Sequence, residues 1–260
     1  VDISDVLGCA IDATDIHITL GRLDLAAVAF ESALELAHTH GVVRGTGDMH
    51  VGLSEVHLAR NDLDAARHHL ALDAQLGDRA GLPQHPYRSR VARALLHQAE
   101  GDTDAALALL AEAERVVNTD FSPPVRPVPA ITTRVLLRAG RVDEALGRAR
   151  SAGVGADDDL SYLHEYEHVT LARVLLASGD TDAARRLLDR LLAAADAGGR
   201  AGSAIEILVL LAVAMDRLGL RDDAAAPLPE APDRAEPPGP RPARRASTRR
   251  CRPSRRTWWR

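Results

Sequence analysis

The sharpest chemical signal in the chain is His164-Glu165-Tyr166-Glu167-His168, a literal H-E-x-x-H. On an α-helix its two imidazoles stand at i and i+4 on one face, where both can ligate zinc while Glu165 serves as general base. A hydrolytic zinc centre also needs a third protein ligand. His168 runs on into Val169-Thr170-Leu171-Ala172-Arg173, which supplies none, and no glutamate motif of the zinc-peptidase kind follows. His164 and His168 are therefore rejected as a metal site, and a zinc hydrolase is the most distant of three functional readings.

The other histidine clusters are His68-His69 and His38-Thr39-His40. Neighbouring side chains on a helix point about 100° apart, so His68 and His69 are not expected to converge on one ion, and both clusters read as solvated surface. There is no Gly-x-Ser-x-Gly, and neither Cys9 nor Cys251 has a histidine partner that would make it a nucleophile. All 32 basic residues are Arg. Without lysine there is no P-loop and no Schiff-base chemistry. The chain reads as a non-enzyme that needs no cofactor. What remains is a set of side chains suited to recognition: Asp48, Glu55, Arg88, Arg134, Tyr166, Arg173 and Glu206. Arginine recognises carboxylate or phosphate through forked hydrogen bonds. The competing reading is that Arg88, Arg134 and Arg173 pair with acids of the protein itself.

The elements that position these residues follow from a six-residue string that occurs six times. It begins at Gly21, Asn61, Gly101, Gly140, Gly179 and Gly219, at steps of 40, 40, 39, 39 and 40 residues. A fixed period of this size marks a helical repeat array. Each copy opens with Gly or Asn, which suits the left-handed backbone that ends a helix. An Asp three residues later is expected to cap the next helix, and Ala in sixth place lets the second helix approach the first closely. The string is thus the tight turn of a helical hairpin.

After the turn in repeat one come Ala26, Phe30 and Ala33, and in repeat three Ala106, Leu110 and Ala113. This spacing resembles a tetratricopeptide repeat (TPR). The usual large aromatic early in the first helix is replaced by Ala10, His50, Arg90, Pro129, His168 and Leu208, and the period exceeds the usual 34. The strings that open repeats two to five carry a closer resemblance: Gly45–Glu55, Gly81–Arg88, Asp120–Pro129 and Asp158–Arg173. They look like the repeat region of large ATP-binding LuxR-family transcriptional regulators, the MalT-like group. The resemblance implies an all-α, right-handed superhelical solenoid of TPR-like hairpins. In that family a nucleotide-binding domain precedes the superhelix, a DNA-binding helix-turn-helix follows it, and the superhelix senses an inducer or a protein partner. Asp48, Glu55, Arg88, Arg134, Tyr166, Arg173 and Glu206 fall on first helices, which line the concave face of such arrays.

Residues 1–224 are expected to form six hairpins, the last incomplete, because Pro227, Pro229 and Pro232 stand where its second helix belongs. Residues 225–260 hold eight prolines and ten arginines and are expected to be disordered. The break after an intact turn suggests out-of-frame translation of a GC-rich gene, or else a natural basic tail. That tail carries a net charge of +7, leaving −12 of the overall −5 on residues 1–224, which argues against DNA binding by the repeats. Neither a signal peptide nor a membrane span is evident, so a cytoplasmic location is expected. The leading expectation is the sensor or scaffold segment of a LuxR-family regulator, without its ATPase and DNA-binding domains. The alternative is a free-standing adaptor that binds a protein or peptide. The unpartnered apolar face of residues 205–212 is expected to stay exposed and drive self-association.

Overall fold

The computed structural model describes residues 2–117 and 125–220. Among these residues the chain is all-α, a superhelical solenoid of TPR-like hairpins. Five hairpins pair α1 (Ile3–Thr19) with α2 (Leu23–Thr39), α3 (Thr46–Ala59) with α4 (Leu63–Leu76), α5 (His85–Ala99) with α6 (Thr103–Val116), α7 (Val128–Arg138) with α8 (Val142–Ser151), and α9 (Glu165–Ser178) with α10 (Thr181–Ala197). A sixth first helix, α11 (Ala201–Arg217), follows. The expected second helix of repeat six and the 225–260 tail lie outside the described residues.

The repeated string forms the same turn every time. Gly21, Gly101, Gly140, Gly179 and Gly219 have positive φ, and Asn61, at 58°, is the one non-glycine among the described residues that does. In each copy the next residue's N–H reaches back five residues, as from Arg22 to His17 O at 2.8 Å and from Asp180 to Leu175 O at 2.9 Å. This bond satisfies a carbonyl that the helix end would otherwise orphan. The alanine in sixth place, Ala26, Ala66, Ala106, Ala145 or Ala184, is wholly buried in all five complete hairpins. The capping residue is not the one expected. Asp62, Asp102 and Asp180, second in their strings, accept the amides of Ala65, Ala105 and Ala183. The fourth-place Asp24, Asp64, Asp104, Asp143 and Asp182 instead lie inside the first turn. There they complement the helix dipole without capping.

Successive hairpins stack so that first helices follow first helices, α1 on α3, α3 on α5 and α7 on α9. The cores are built mainly of small and aliphatic residues, and Phe30, in the core that packs α1 and α2 against α3, is the largest fully buried side chain among the described residues. Gly52 on α3 makes room for it: a Cβ there would lie 2.1 Å from the Phe30 ring. The array also turns far enough for its last helix to meet its first. A Cβ on Gly202 of α11 would lie 2.6 Å from the Thr19 carbonyl oxygen and 3.0 Å from the Gly21 nitrogen. Only glycine fits this backbone contact.

The apolar face of residues 205–212 is for the most part not exposed, contrary to expectation. Ile207, Leu210 and Leu211 join Leu187, Leu188 and Leu191 in one core, and Leu208 and Ala212 are buried as well. Val209 and Val213 are the large apolar side chains that α11 leaves exposed. Packing against α10 and contact with α1 explain the difference.

Candidate functional site

The residues proposed for the concave face all stand on first helices, and they fall into two groups. In the first, Asp48 on α3 is completely buried. It accepts the Leu82 amide at 2.7 Å and Arg88 Nη1 at 3.3 Å. The other Arg88 guanidinium nitrogen lies 3.6 Å from Glu55. Arg88 is itself buried. The exposure expected of Asp48 and Arg88 is therefore corrected: the carboxylate holds the turn before α5 and neutralises an arginine enclosed between repeats. Burial pushes the Asp48 carboxyl above its usual range, with Arg88 offsetting only part of the effect. Burial raises Glu55 in the same way, against the pull of Arg88.

The second group is more open. Glu206 of α11 is gripped by Arg134 at 2.9 Å and Arg173 at 3.0 Å. Arg134 Cζ sits over the Tyr166 ring, 3.7 Å from its centroid, and the guanidinium donates to Thr170 Oγ1 at 2.7 Å. Stacking and hydrogen bonding fix its guanidinium before any ligand arrives. Burial alone would raise the Glu206 carboxyl, but Arg134 and then Arg173 outweigh it and hold it below the usual range. Arg173 and Glu206 each remain about a third exposed.

Electrostatic interactions link the two groups across the array. Arg126 acts on Glu55 of α3 and also on Glu206 of α11. Asp15 of α1 and Tyr166 of α9 both act on Tyr87 of α5, whose phenol burial raises to about 12. Asp15, Tyr87 and the exposed Arg126 belong to this set of interacting groups, and sequence reasoning missed them. Asp15 sits in a first helix without a distinguishing motif, and Arg126 lies in the proline-rich stretch before α7.

The H-E-x-x-H string does not lie on one helical face. His164 ends a 3-10 turn, Tyr162–His164, and α9 starts only at Glu165. His164 is exposed and bonds Glu167 at 2.7 Å, whereas His168 is buried with Nδ1 on the His164 carbonyl oxygen at 2.9 Å. Glu165 is tied to Arg200 at 2.7 Å and Ser203 at 2.6 Å, joining α9 to the start of α11.

Two further clusters depart from the sequence reading. Asp73 is buried and takes His85 Nε2 at 2.6 Å, Ser89 Oγ at 2.7 Å and Arg93 at 2.9 Å. It occupies the core position held by Ala33 and Ala113 in the neighbouring repeats. A carboxylate at a register position reserved for a small apolar residue is the signal that could have revealed it. His69 is not a solvated surface residue: it turns inward to α3, with Nδ1 3.1 Å from His50 Nδ1. His68, about 100° further round the helix, stays exposed.

A helical solenoid of TPR-like hairpins defines a repeat-scaffold class, and the sequence comparison narrows it. The family described as the MalT-like TPR region matches residues 4–239, and the chain belongs to that family. The match continues past residue 224, into residues outside those described. No curated protein matches the chain. Among solved structures, BtubC (BKLC) from P. vanneervenii is similar at 16% identity and a TM-score of 0.53, covering 89% of this chain and 99% of that one. A Podosopora anserina protein of nearly identical TPR-like repeats, named for kinesin light chain, is 16% identical over 90% of this chain and 96% of its own, with a TM-score of 0.36. No helix among the described residues is long and apolar enough to cross a membrane.

Proposed function

We propose that the chain is the partner-binding segment of a LuxR-family, MalT-like transcriptional regulator, and that a protein partner or a small inducer engages its concave groove. The observation that carries this reading is the Glu206 clamp. Two arginines from neighbouring first helices, one of them fixed against Tyr166, converge on a carboxylate that is still in contact with water. A ligand carboxylate or amide can take the place of Glu206 without desolvating either arginine anew. The ATPase and helix-turn-helix domains of such a regulator are placed on flanking sequence, in a cytoplasmic protein. The acidic repeats themselves leave DNA alone.

The test is affinity capture from cells of the source organism with three baits: the wild type, R134A/R173A and R185A, a variant of an arginine on the second helix α10 that pairs with Asp189. Partners lost only with R134A/R173A support the groove, and partners indifferent to it contradict the proposal. A reading frame for a P-loop ATPase or a helix-turn-helix beside this one supports the regulator assignment. Intact flanks with neither oppose it and favour a free-standing adaptor. Self-association through α11 rests on Val209 and Val213 alone, so it is weak. Sedimentation that stays monomeric at high concentration rules it out.

A further inference from the structure

Repeats two and three meet at a notch that the Glu206 clamp does not use. Gly45 N–H donates to the Ala80 carbonyl oxygen at 2.7 Å, and Leu82 N–H to Asp48 at 2.7 Å. These bonds tie the segment before α5 to the start of α3. They leave an open cavity of about 260 Å³, lined by Arg44, Gly81, Leu82, Pro83, His85 and Pro86. That volume lies just below the roughly 300–1,000 Å³ of drug-sized ligand pockets, so it suits a compact molecule. Pro83 and Pro86, each with a fixed φ, stiffen the wall before any ligand arrives.

Two cationic side chains line the notch in different ways. Arg44 is exposed and makes no ion pair among the described residues. His85 is buried, its ring held between two glycines: a Cβ at Gly47 would lie 2.9 Å from Nε2, and a Cβ at Gly81 would lie 2.7 Å from Nδ1. The Nε2 edge turns inward and donates to Asp73 at 2.6 Å. Nδ1 takes no part in that bond and lies toward Gly81, which is itself part of the notch wall. Burial opposes the His85 charge, but the bond to Asp73 and the charges of Asp48 and Asp73 raise its pKa above 6.5. Near pH 6 both ring nitrogens therefore carry protons.

We propose that this notch binds a small organic carboxylate, with Arg44 and His85 Nδ1–H as its donors and Leu82, Pro83 and Pro86 as its apolar wall. The guanidinium fork of Arg44 matches a planar carboxylate. The apolar wall gives an anion with a hydrocarbon body an advantage over a bare inorganic ion. Arg44 has no ion pair to surrender among the described residues, so the ligand displaces water alone. The Asp73 bond holds the His85 ring in place, so its donor is positioned in advance. The site is separate from the Glu206 clamp and does not depend on the function proposed for it.

The probe is sodium benzoate, titrated at pH 6.0 into the full chain labelled with nitrogen-15 and followed by nuclear magnetic resonance. Saturable shifts of the Gly81 and Leu82 amides are expected, with a dissociation constant on the order of 1–10 mM for a ligand of this size. R44A, a change at an exposed residue, is expected to weaken binding about tenfold or more, the worth of a charge-assisted hydrogen bond. R115A, at an exposed arginine of α6, is expected to match the wild type. Equal affinity in R44A, or binding lost only in R134A/R173A, overturns the proposal, as do shifts that never saturate. Intermolecular Overhauser effects in the wild type decide independently of any variant's folding. Contacts from the benzoate ring to Leu82, Pro83 or Pro86 are expected, and contacts elsewhere alone contradict the site.

Discussion

Gly202 of α11 packs its backbone against the turn that holds Gly21, bringing the sixth repeat onto the first. A Cβ at residue 202 would meet the oxygens of Thr19 and Ile18 at 2.6 and 3.0 Å. Gly202→Val is therefore expected to part the two ends while the hairpins persist. Small-angle scattering should show a larger radius of gyration at unchanged helicity. An unchanged radius would mean that the contact does not hold the superhelix closed.

Phe30 occupies space that only glycine at residue 52 leaves free. Gly52→Ala is expected to destabilise the fold by about 1–3 kcal/mol through overpacking, and Phe30→Leu in the same chain should recover part of the loss. Urea unfolding of the single and double variants measures the coupling. Strict additivity would separate the two residues.

Asp73 and His85 make stability depend on pH in both directions. Burial opposes the Asp73 charge, but hydrogen bonds from His85, Ser89 and Arg93 prevail and hold its pKa below the usual 3.8. Its contribution is complete above pH 3.8 and lost as pH falls through the lower, folded value. For His85, burial is outweighed by the bond to Asp73 and the charge of Asp48, which raise its pKa above 6.5. That contribution is complete below pH 6.5 and lost as pH rises through the folded value. Stability from this pair is thus highest between about pH 4 and 6.5, and Asp73→Asn should flatten both limbs in urea melts. Asp73→Ala, which leaves a buried cation unpaired, is expected to cost about 3–5 kcal/mol.

The period of the array was legible because one local geometry recurs, a left-handed residue followed by a packed alanine, and both leave a residue-type signature. The capping assignment went wrong by two positions because Asp suits either a cap or a first turn, and only the helix start distinguishes them. Asp73 stood in plain register with Ala33 and Ala113, yet its partners come from α5, and no spacing rule pairs those positions. The His50–His69 contact and the Gly21–Gly202 closure depend on how helices roll and how the superhelix rises. Small packing differences summed over many residues set both. Asp48 and Arg88, forty residues apart, share a register, but their burial follows from the Leu82 turn folded over them.

In the function proposed for this chain, partners enter on the concave side. A photo-crosslinking residue placed at Tyr166, in the groove beside Arg134, and at Val28, exposed on the second helix of repeat one, tests it in cells of the source organism. Adducts of defined mass are expected from residue 166 and lost when Arg134 and Arg173 are also replaced by Ala. Adducts from residue 28 alone, or from 166 regardless of the two arginines, would contradict the account.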